Sequence, residues 1–358
     1  MKRFCWGWVS SACFFLLGSS KALAVMLFGT GDPQANTTEP TGNLANSGWQ
    51  WVGKWGKTSG IAIAPKYFIT VKHVGGNILD PFVFQGRQYL AAKFFDDPES
   101  DLRVVLVVGS LPLGAPLYSQ SDELGKHVVV IGRGTQRGSE VFVSAGASLI
   151  RKGWLWGKSD AVLRWGENRV SSVLRNINGG VEMLMMRFDA SGGPNEAHLS
   201  PGDSGGGLFI QDGFVWKLAG LSNNADGQYS LGPNGPGISA ALYDEGGLYK
   251  GGNPSWQLTV DSPFDQPGRF YCIRVSARLD WIRGVIGATH TAPPPELQTS
   301  ATPFGPFEDL QEVFVDASSR SLAFPAKDPQ GFYRLKGSRV FRITAVDIHD
   351  GNVWLTYE

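Results

Sequence analysis

Residues 199–209 read LSPGDSGGGLF, where four glycines surround Asp203 and Ser204 and a strand-like LFI follows. A serine hydroxyl is a weak nucleophile unless a base, a group that orients the base and donors for a developing oxyanion stand beside it. The glycines open backbone conformations closed to other residues and let a substrate approach closely. The N–H groups of Gly202 and Ser204 can then converge on one carbonyl oxygen, and each such donor is worth about a hundred- to a thousand-fold in rate. Among five histidines, His73 in YFITVKHVGG stands where an apolar strand runs into a glycine-bearing turn, a position that projects a base into a cleft. Asp101 opens DLRVVLVV at the edge of a very apolar strand, where a carboxylate can accept from an imidazole N–H and fix its tautomer. The preceding DDPES is turn chemistry, and Asp96 and Asp97 compete for the same role.

The elements that must position these groups read as strands. GIAIAPKYFITV, FVFQGRQYLAAKFF, LRVVLVV, KHVVVIGRG, EVFVSAGASLI, VEMLMMRFDA, GGLFIQDG and FVWKLAGLS are short β-branched and aromatic runs broken by Gly, Pro, Asn or Asp. That spacing predicts a sandwich or barrel. Residues 25–50 read as a loosely structured lead-in and 223–268 as long surface loops. One helix is predicted from Ser276 to about Ile286 (SARLDWIRGVI), with Ser276 as its N-cap. The Pro-rich 289–307 reads as a semi-rigid linker. Residues 308–358 return to strand patterning as a small β module that leans on the main domain, with HDGN as a hairpin signal.

Composition sets the class. The 358 residues are 42% hydrophobic with a formal net charge of +0, which allows a large core and gives no electrostatic reason for a nucleic-acid or anionic-membrane partner. The 12 tryptophans read as core residues on short strands. Residues 1–24 read as an export leader: Lys2 and Arg3, an apolar run from Phe4 to Gly18, then Ala22-Leu23-Ala24, so that the mature chain begins at Val25. The apolar run is too short to span a bilayer. Of three cysteines, Cys5 and Cys13 leave with the leader, and Cys272 remains without an intrachain partner. An exported chain free of disulfides suits a bacterial secreted, periplasmic or cell-surface protein.

ITVKHVGG, DLRVVLV and SPGDSGGGLF, in the order His, Asp, Ser, together with RFYCIRVSARLDWI, resemble the trypsin/chymotrypsin-like serine peptidases. The resemblance covers residues 61 to about 287. It departs from the family pattern at TVKHV, which lacks the cysteine usual after the histidine. The resemblance implies an all-β fold: two six-stranded antiparallel barrels with the cleft between them and a C-terminal helix, spanning 25–288. It implies Ser204 as nucleophile, His73 as general base then acid, Asp101 as orienter, and Gly202 and Ser204 N–H as the oxyanion site. The implied reaction is endopeptidase hydrolysis of a polypeptide through an acyl-enzyme, without metal or cofactor. An inactive binding protein on the same fold is one alternative. An esterase-type hydrolase is the other, although its motif order is Ser before Asp before His.

The resemblance also raises two specificity candidates and one ion pair. His198 stands six residues before the nucleophile, where trypsin-type enzymes carry an Asp, and Ser222 in LAGLSNN corresponds to a substrate-pairing strand. The chain has no Ile-Val-Gly-Gly start to insert beside Asp203, so an internal cation is expected to neutralise that carboxylate. Arg133 in VVVIGRGTQRG, between two glycines, is the candidate.

Overall fold

A strand covered on both faces reads as an unbroken apolar run, because successive side chains point to opposite sides. His127–Gly132 (HVVVIG) shows it: Val128 and Val130 fill a barrel, while Val129 and Ile131 pack outward into a second apolar cluster. In the same way Phe68 and Val105 fill another barrel, and Ile69, Val71 and Val104 face that shared cluster. Each such side chain contributes about 1.5–3 kcal/mol on leaving water.

The computed structural model describes residues 25–177, 181–252, 255–287, 295–311, 313–316, 321–325, 331–337, 341–349 and 352–357. Two closed six-stranded antiparallel barrels form its centre. Around the first run Val52–Trp55, Thr58–Ala64, Tyr67–Val71, Leu102–Val107, Arg87–Asp96 and Pro81–Phe84. Around the second run Arg164–Ile177, Val181–Arg187, Arg269–Arg274, Val215–Ala225, Gly207–Asp212 and His127–Gly132. Trp51, Ile61, Phe209, Leu218 and Ile273 join the cluster between them, and the helix Leu279–Ile286 closes it with Leu279 and Ile282. Cys272 is buried inside the second barrel, and burial pushes its thiol up to about 12. No helix among the described residues is long and apolar enough to cross a membrane.

Several segments differ from the sequence reading. The 223–268 stretch is not a set of loops. Gln228–Ser230, Gly237–Leu242, Tyr249–Gly252 and Ser255–Leu258 build a six-stranded sheet with the long hairpin Thr135–Ala145/Ser148–Ser159. A few well-spaced apolar residues suffice: Tyr229, Ala240, Leu242 and Leu248 bury against Val141. The start of the lead-in is also fixed. Val25, Met26 and Leu27 are buried, Met26–Leu27 pairs with Ala197–His198, and Arg137 donates to the Phe28 carbonyl at 2.9 Å. Finally, Ser276 does not cap the helix. A 3-10 turn, Ser276–Arg278, precedes it, and the Ser276 hydroxyl donates to Glu123 at 2.5 Å instead.

The leader and most of the Pro-rich stretch before Pro295 lie outside the described residues, as does the Asp350-Gly351 of the hairpin signal. Within the expected linker, Glu296–Ser300 is a strand paired with Phe332–Lys336. Ile343–His349 and Asn352–Tyr357 pair in the register that hairpin requires, with His349 opposite Asn352. Leu297, Leu322, Phe324, Leu355 and Tyr357 form the core of this C-terminal part. It meets the first barrel along a crevice of about 290 Å³ lined by Trp51, Pro65 and Leu113 on one side and Val346, Trp354 and Thr356 on the other. The Lys217 ammonium lies 4.0 Å from the Phe314 ring centroid, a cation–π contact.

Candidate active site

The strand Tyr67–Val71 ends in a short 3-10 turn, Lys72–Val74, that carries His73 to the cleft. Asp101 lies just before the neighbouring strand Leu102–Val107, and its carbonyl accepts from the Lys72 N–H at 2.6 Å. Its carboxylate holds the histidine twice: Oδ1 accepts the His73 backbone N–H at 3.2 Å, and Oδ2 stands 2.5 Å from the ring Nδ1. The other ring nitrogen, Nε2, is 2.8 Å from Ser204 Oγ. The rivals are occupied elsewhere. Arg103 takes Asp96 in a two-pronged pair, at 2.6 and 2.9 Å. Asp97 is buried under the Arg278 guanidinium and the Ser100 hydroxyl.

Ser204 sits on a turn whose amides divide into two sets. Those of Asp203, Gly205 and Gly206 donate to Ser200, Ser222 and Asp203 carbonyls at 3.1, 2.9 and 2.9 Å. Those of Gly202 and Ser204 have no acceptor among the described residues. Gly202 has φ +103°, a conformation that strains any residue with a Cβ.

Asp203 anchors this turn from beneath, and Arg133 is not its partner. The Arg133 guanidinium donates to the Ala161 carbonyl at 2.9 Å, with Asp160 as its nearby counter-charge, and burial lowers it to about 10. Asp203 is held by neutral donors: Gly134 N–H at 2.7 Å, Ser200 N–H at 2.9 Å, Ser200 Oγ at 3.1 Å, and the main-chain N–H of Val25. It forms no ion pair among the described residues, and burial raises it to about 6 against the pull of those donors. The GRG sequence matters through its glycines. A Cβ on Gly132 would stand 2.3 Å from Asp203 Oδ1, and one on Gly134 2.2 Å from Oδ2. Only glycines leave room for the carboxylate.

A cavity of about 150 Å³ opens beside Ser204, lined by Trp156, Leu199, Pro201, Ser204, Asn223 and Ala225 among others. Neither specificity candidate reaches it. His198 is wholly buried between the Phe188 and Phe270 rings, its Nδ1 2.6 Å from the Leu199 carbonyl, and burial lowers it to about 4. Spacing from Ser204 does not say which way a strand residue faces, and this one faces inward. Ser222 is also buried, its hydroxyl 3.9 Å from Cys272 Sγ. The residues after it, Asn223 and Asn224, line the cavity instead. The sequence reading passed over these and Trp156. The Asn-Asn pair after LAGLS was their only local signal; nothing near Trp156 marks it.

No protein-family model matches the chain, and no curated protein matches it. Among solved structures the chain is similar to neuropsin, a serine protease expressed in the limbic system of mouse brain, at 14% identity and a TM-score of 0.40. That match covers 67% of this chain and 96% of neuropsin. A likeness of that size bears on neither activity nor substrate.

Proposed function

We propose that this chain is a serine endopeptidase. The reading rests on one observation, the unbroken line from Asp101 through His73 to Ser204 at 2.5 and 2.8 Å. Ser204 Oγ attacks a peptide carbonyl while His73 Nε2 takes its proton. Asp101 holds the imidazole in the tautomer with the proton on Nδ1 and stabilises the imidazolium. The Gly202 and Ser204 amides receive the oxyanion. His73 then protonates the leaving amine, and water releases the acyl group by the reverse sequence. Residues 25–288 form the peptidase unit in this reading, and 308–358 an accessory module.

The leader is part of the same reading. Removal of residues 1–24 converts the Val25 nitrogen, which already meets Asp203 as an amide, into an ammonium. The buried carboxylate, which forms no ion pair among the described residues, then gains a cation within contact, and in this reading export and completion of the site become one event.

A fluorophosphonate probe and a peptide-library digest test the activity. The mature protein is expected to take the label and cleave peptides, and Ser204→Ala to do neither. Equal cleavage by both proteins would refute the assignment. A chain beginning at Val25 is expected to outpace one carrying two extra N-terminal residues by on the order of ten- to a hundredfold, the scale set by a disordered oxyanion site.

A further inference from the structure

The C-terminal part holds a cavity of about 490 Å³, larger than the one beside Ser204. A volume of that order takes a small-molecule ligand. One wall is a three-stranded sheet in which Glu296–Ser300 runs between Glu308–Asp309 and Phe332–Lys336. The register sets Glu308, Thr299 and Tyr333 side by side across the three strands, on one face. All three line the cavity.

The two faces of this sheet treat polar groups differently. On the far face the neighbouring row, Asp309, Gln298 and Arg334, is bonded within itself. Gln298 Nε2 donates to Asp309 Oδ1 at 2.6 Å, and Arg334 Nε donates to Gln298 Oε1 at 2.7 Å. On the cavity face a carboxylate, a hydroxyl and a phenol stand in line. Among the described residues none of those three makes a side-chain hydrogen bond or ion pair. Phe324 backs the Tyr333 ring, with centroids 4.8 Å apart, so the ring is a fixed apolar platform. Gly331 keeps the phenol open, since a Cβ there would stand 2.6 Å from its hydroxyl. Ser300 and Gln311 add a hydroxyl and an amide to the lining, and no lysine or arginine lines it among the described residues.

This lining selects its ligand. An anion would meet the Glu308 carboxylate and no cation. A purely apolar ligand would strip water from the carboxylate and hydroxyls and return no bond, which is costly. A lone ammonium would use Glu308 and leave the rest of the row idle. A sugar ring offers an apolar C–H face to the Tyr333 platform and, around its rim, hydroxyls that donate to Glu308 and exchange bonds with Thr299 and the phenol. We propose that this cavity binds an uncharged sugar unit of an oligosaccharide, so that the C-terminal part tethers the chain to glycan-bearing material and raises its local concentration there. The proposal stands apart from the peptidase reading, because it uses no residue of that site.

The test uses the protein carrying Ser204→Ala, which removes self-cleavage, on an array of neutral, acidic and amino oligosaccharides. The neutral oligosaccharide that binds best is then titrated by calorimetry. Binding is expected among the neutral members. Glu308→Gln is expected to weaken it about tenfold, as the loss of a charge-assisted bond, and Thr299→Val about threefold. Tyr333→Ala is expected to cost more than about tenfold, and Tyr333→Phe, which keeps the platform, only about threefold. Lys336→Ala, on the far face, is expected to change nothing. Binding of no neutral oligosaccharide, or of acidic or amino members alone, would overturn the proposal. So would affinity unchanged in Glu308→Gln, Thr299→Val and Tyr333→Phe, three variants that keep the shape of the wall.

Discussion

The two barrels treat a buried carboxylate in opposite ways. Beside the first, Asp97 meets a cation from the C-terminal turn: burial alone would raise its carboxyl, but Arg278, the Ser100 hydroxyl and the Glu99 N–H together hold it below its ordinary range. The second surrounds Asp203 with neutral N–H and O–H donors and leaves it raised to about 6. The groups at the cleft differ in a matching way. On the first barrel the His73 side chain is 45% exposed, at the end of a strand. On the second, the Ser204 turn is clamped from below by Asp203 and close-packed glycines. A base must trade protons with substrate and water, so exposure suits it. On the proposed reading the Gly202 and Ser204 amides must not move, and the bonds that Asp203 accepts from Gly134 and Ser200 at 2.7, 2.9 and 3.1 Å steady the turn that carries them.

The largest expected effects break the line that joins the barrels. Ser204→Ala and His73→Ala are each expected to lower kcat by at least about four orders of magnitude, with Asp101→Ala somewhat milder. Asp96→Ala is expected to change kcat less than threefold or so, since that carboxylate is paired with Arg103. Peptide hydrolysis rates of the four variants check both statements. A crippling Asp96→Ala would move the orienting role away from Asp101.

The next contrast lies within GRG itself. Gly134→Ala places a Cβ against Asp203 Oδ2 and Ser200 Oγ, both 2.2 Å away, and must displace the carboxylate. It is expected to lower the melting temperature by several degrees and activity by about a hundredfold. Arg133→Ala leaves every Asp203 bond in place and is expected to leave activity within about twofold. Melting curves and hydrolysis rates of the pair decide whether the glycines or the arginine carry the motif.

How much of this was written in the sequence follows from the same motif. The barrels were legible because HVVVIG and LRVVLV are apolar on both faces, as strands between two cores must be. The extra sheet was not, because four well-placed residues among many Gly, Asn and Asp carry its core. Ser204, His73 and Asp101 stood out by residue type and by their place at strand ends and turns. Arg133 misled because charge complementarity is visible in a sequence and steric room is not. His198 misled because linear distance from Ser204 does not report facing. The Asn-Asn pair after LAGLS marked Asn223 but not its facing, because the residue sits on a bulge, a register shift between two strands that neither strand shows alone.

A smaller prediction sharpens the electrostatic contrast. Glu196, in the connection that leads to the Ser204 turn, is buried and raised to about 8, chiefly by burial, while Asn168 and the Asp189 N–H hold one of its oxygens. The folded state therefore keeps a proton that the unfolded chain releases near 4.5. Stability from this group is present below that value and lost as pH climbs towards 8. His198 acts oppositely: lowered from 6.5 to about 4, it stabilises above 6.5 and loses that contribution as pH falls to 4. Glu196→Gln is expected to gain a few degrees in melting temperature relative to the parent at pH 8, and none at pH 4. A melting-temperature difference that stays constant across that range would show that Glu196 carries no proton in the fold.

Cys272 gives the molecule a built-in clock. It is the only thiol in residues 25–358, so every event a thiol reagent registers on a chain of those residues is an event at one point inside the second barrel. With the sulfur enclosed and the thiolate disfavoured, an alkylating reagent must wait for the strands around it to part. The rate of modification therefore counts openings of the barrel that carries Ser204, while the barrel that carries His73 opens unseen.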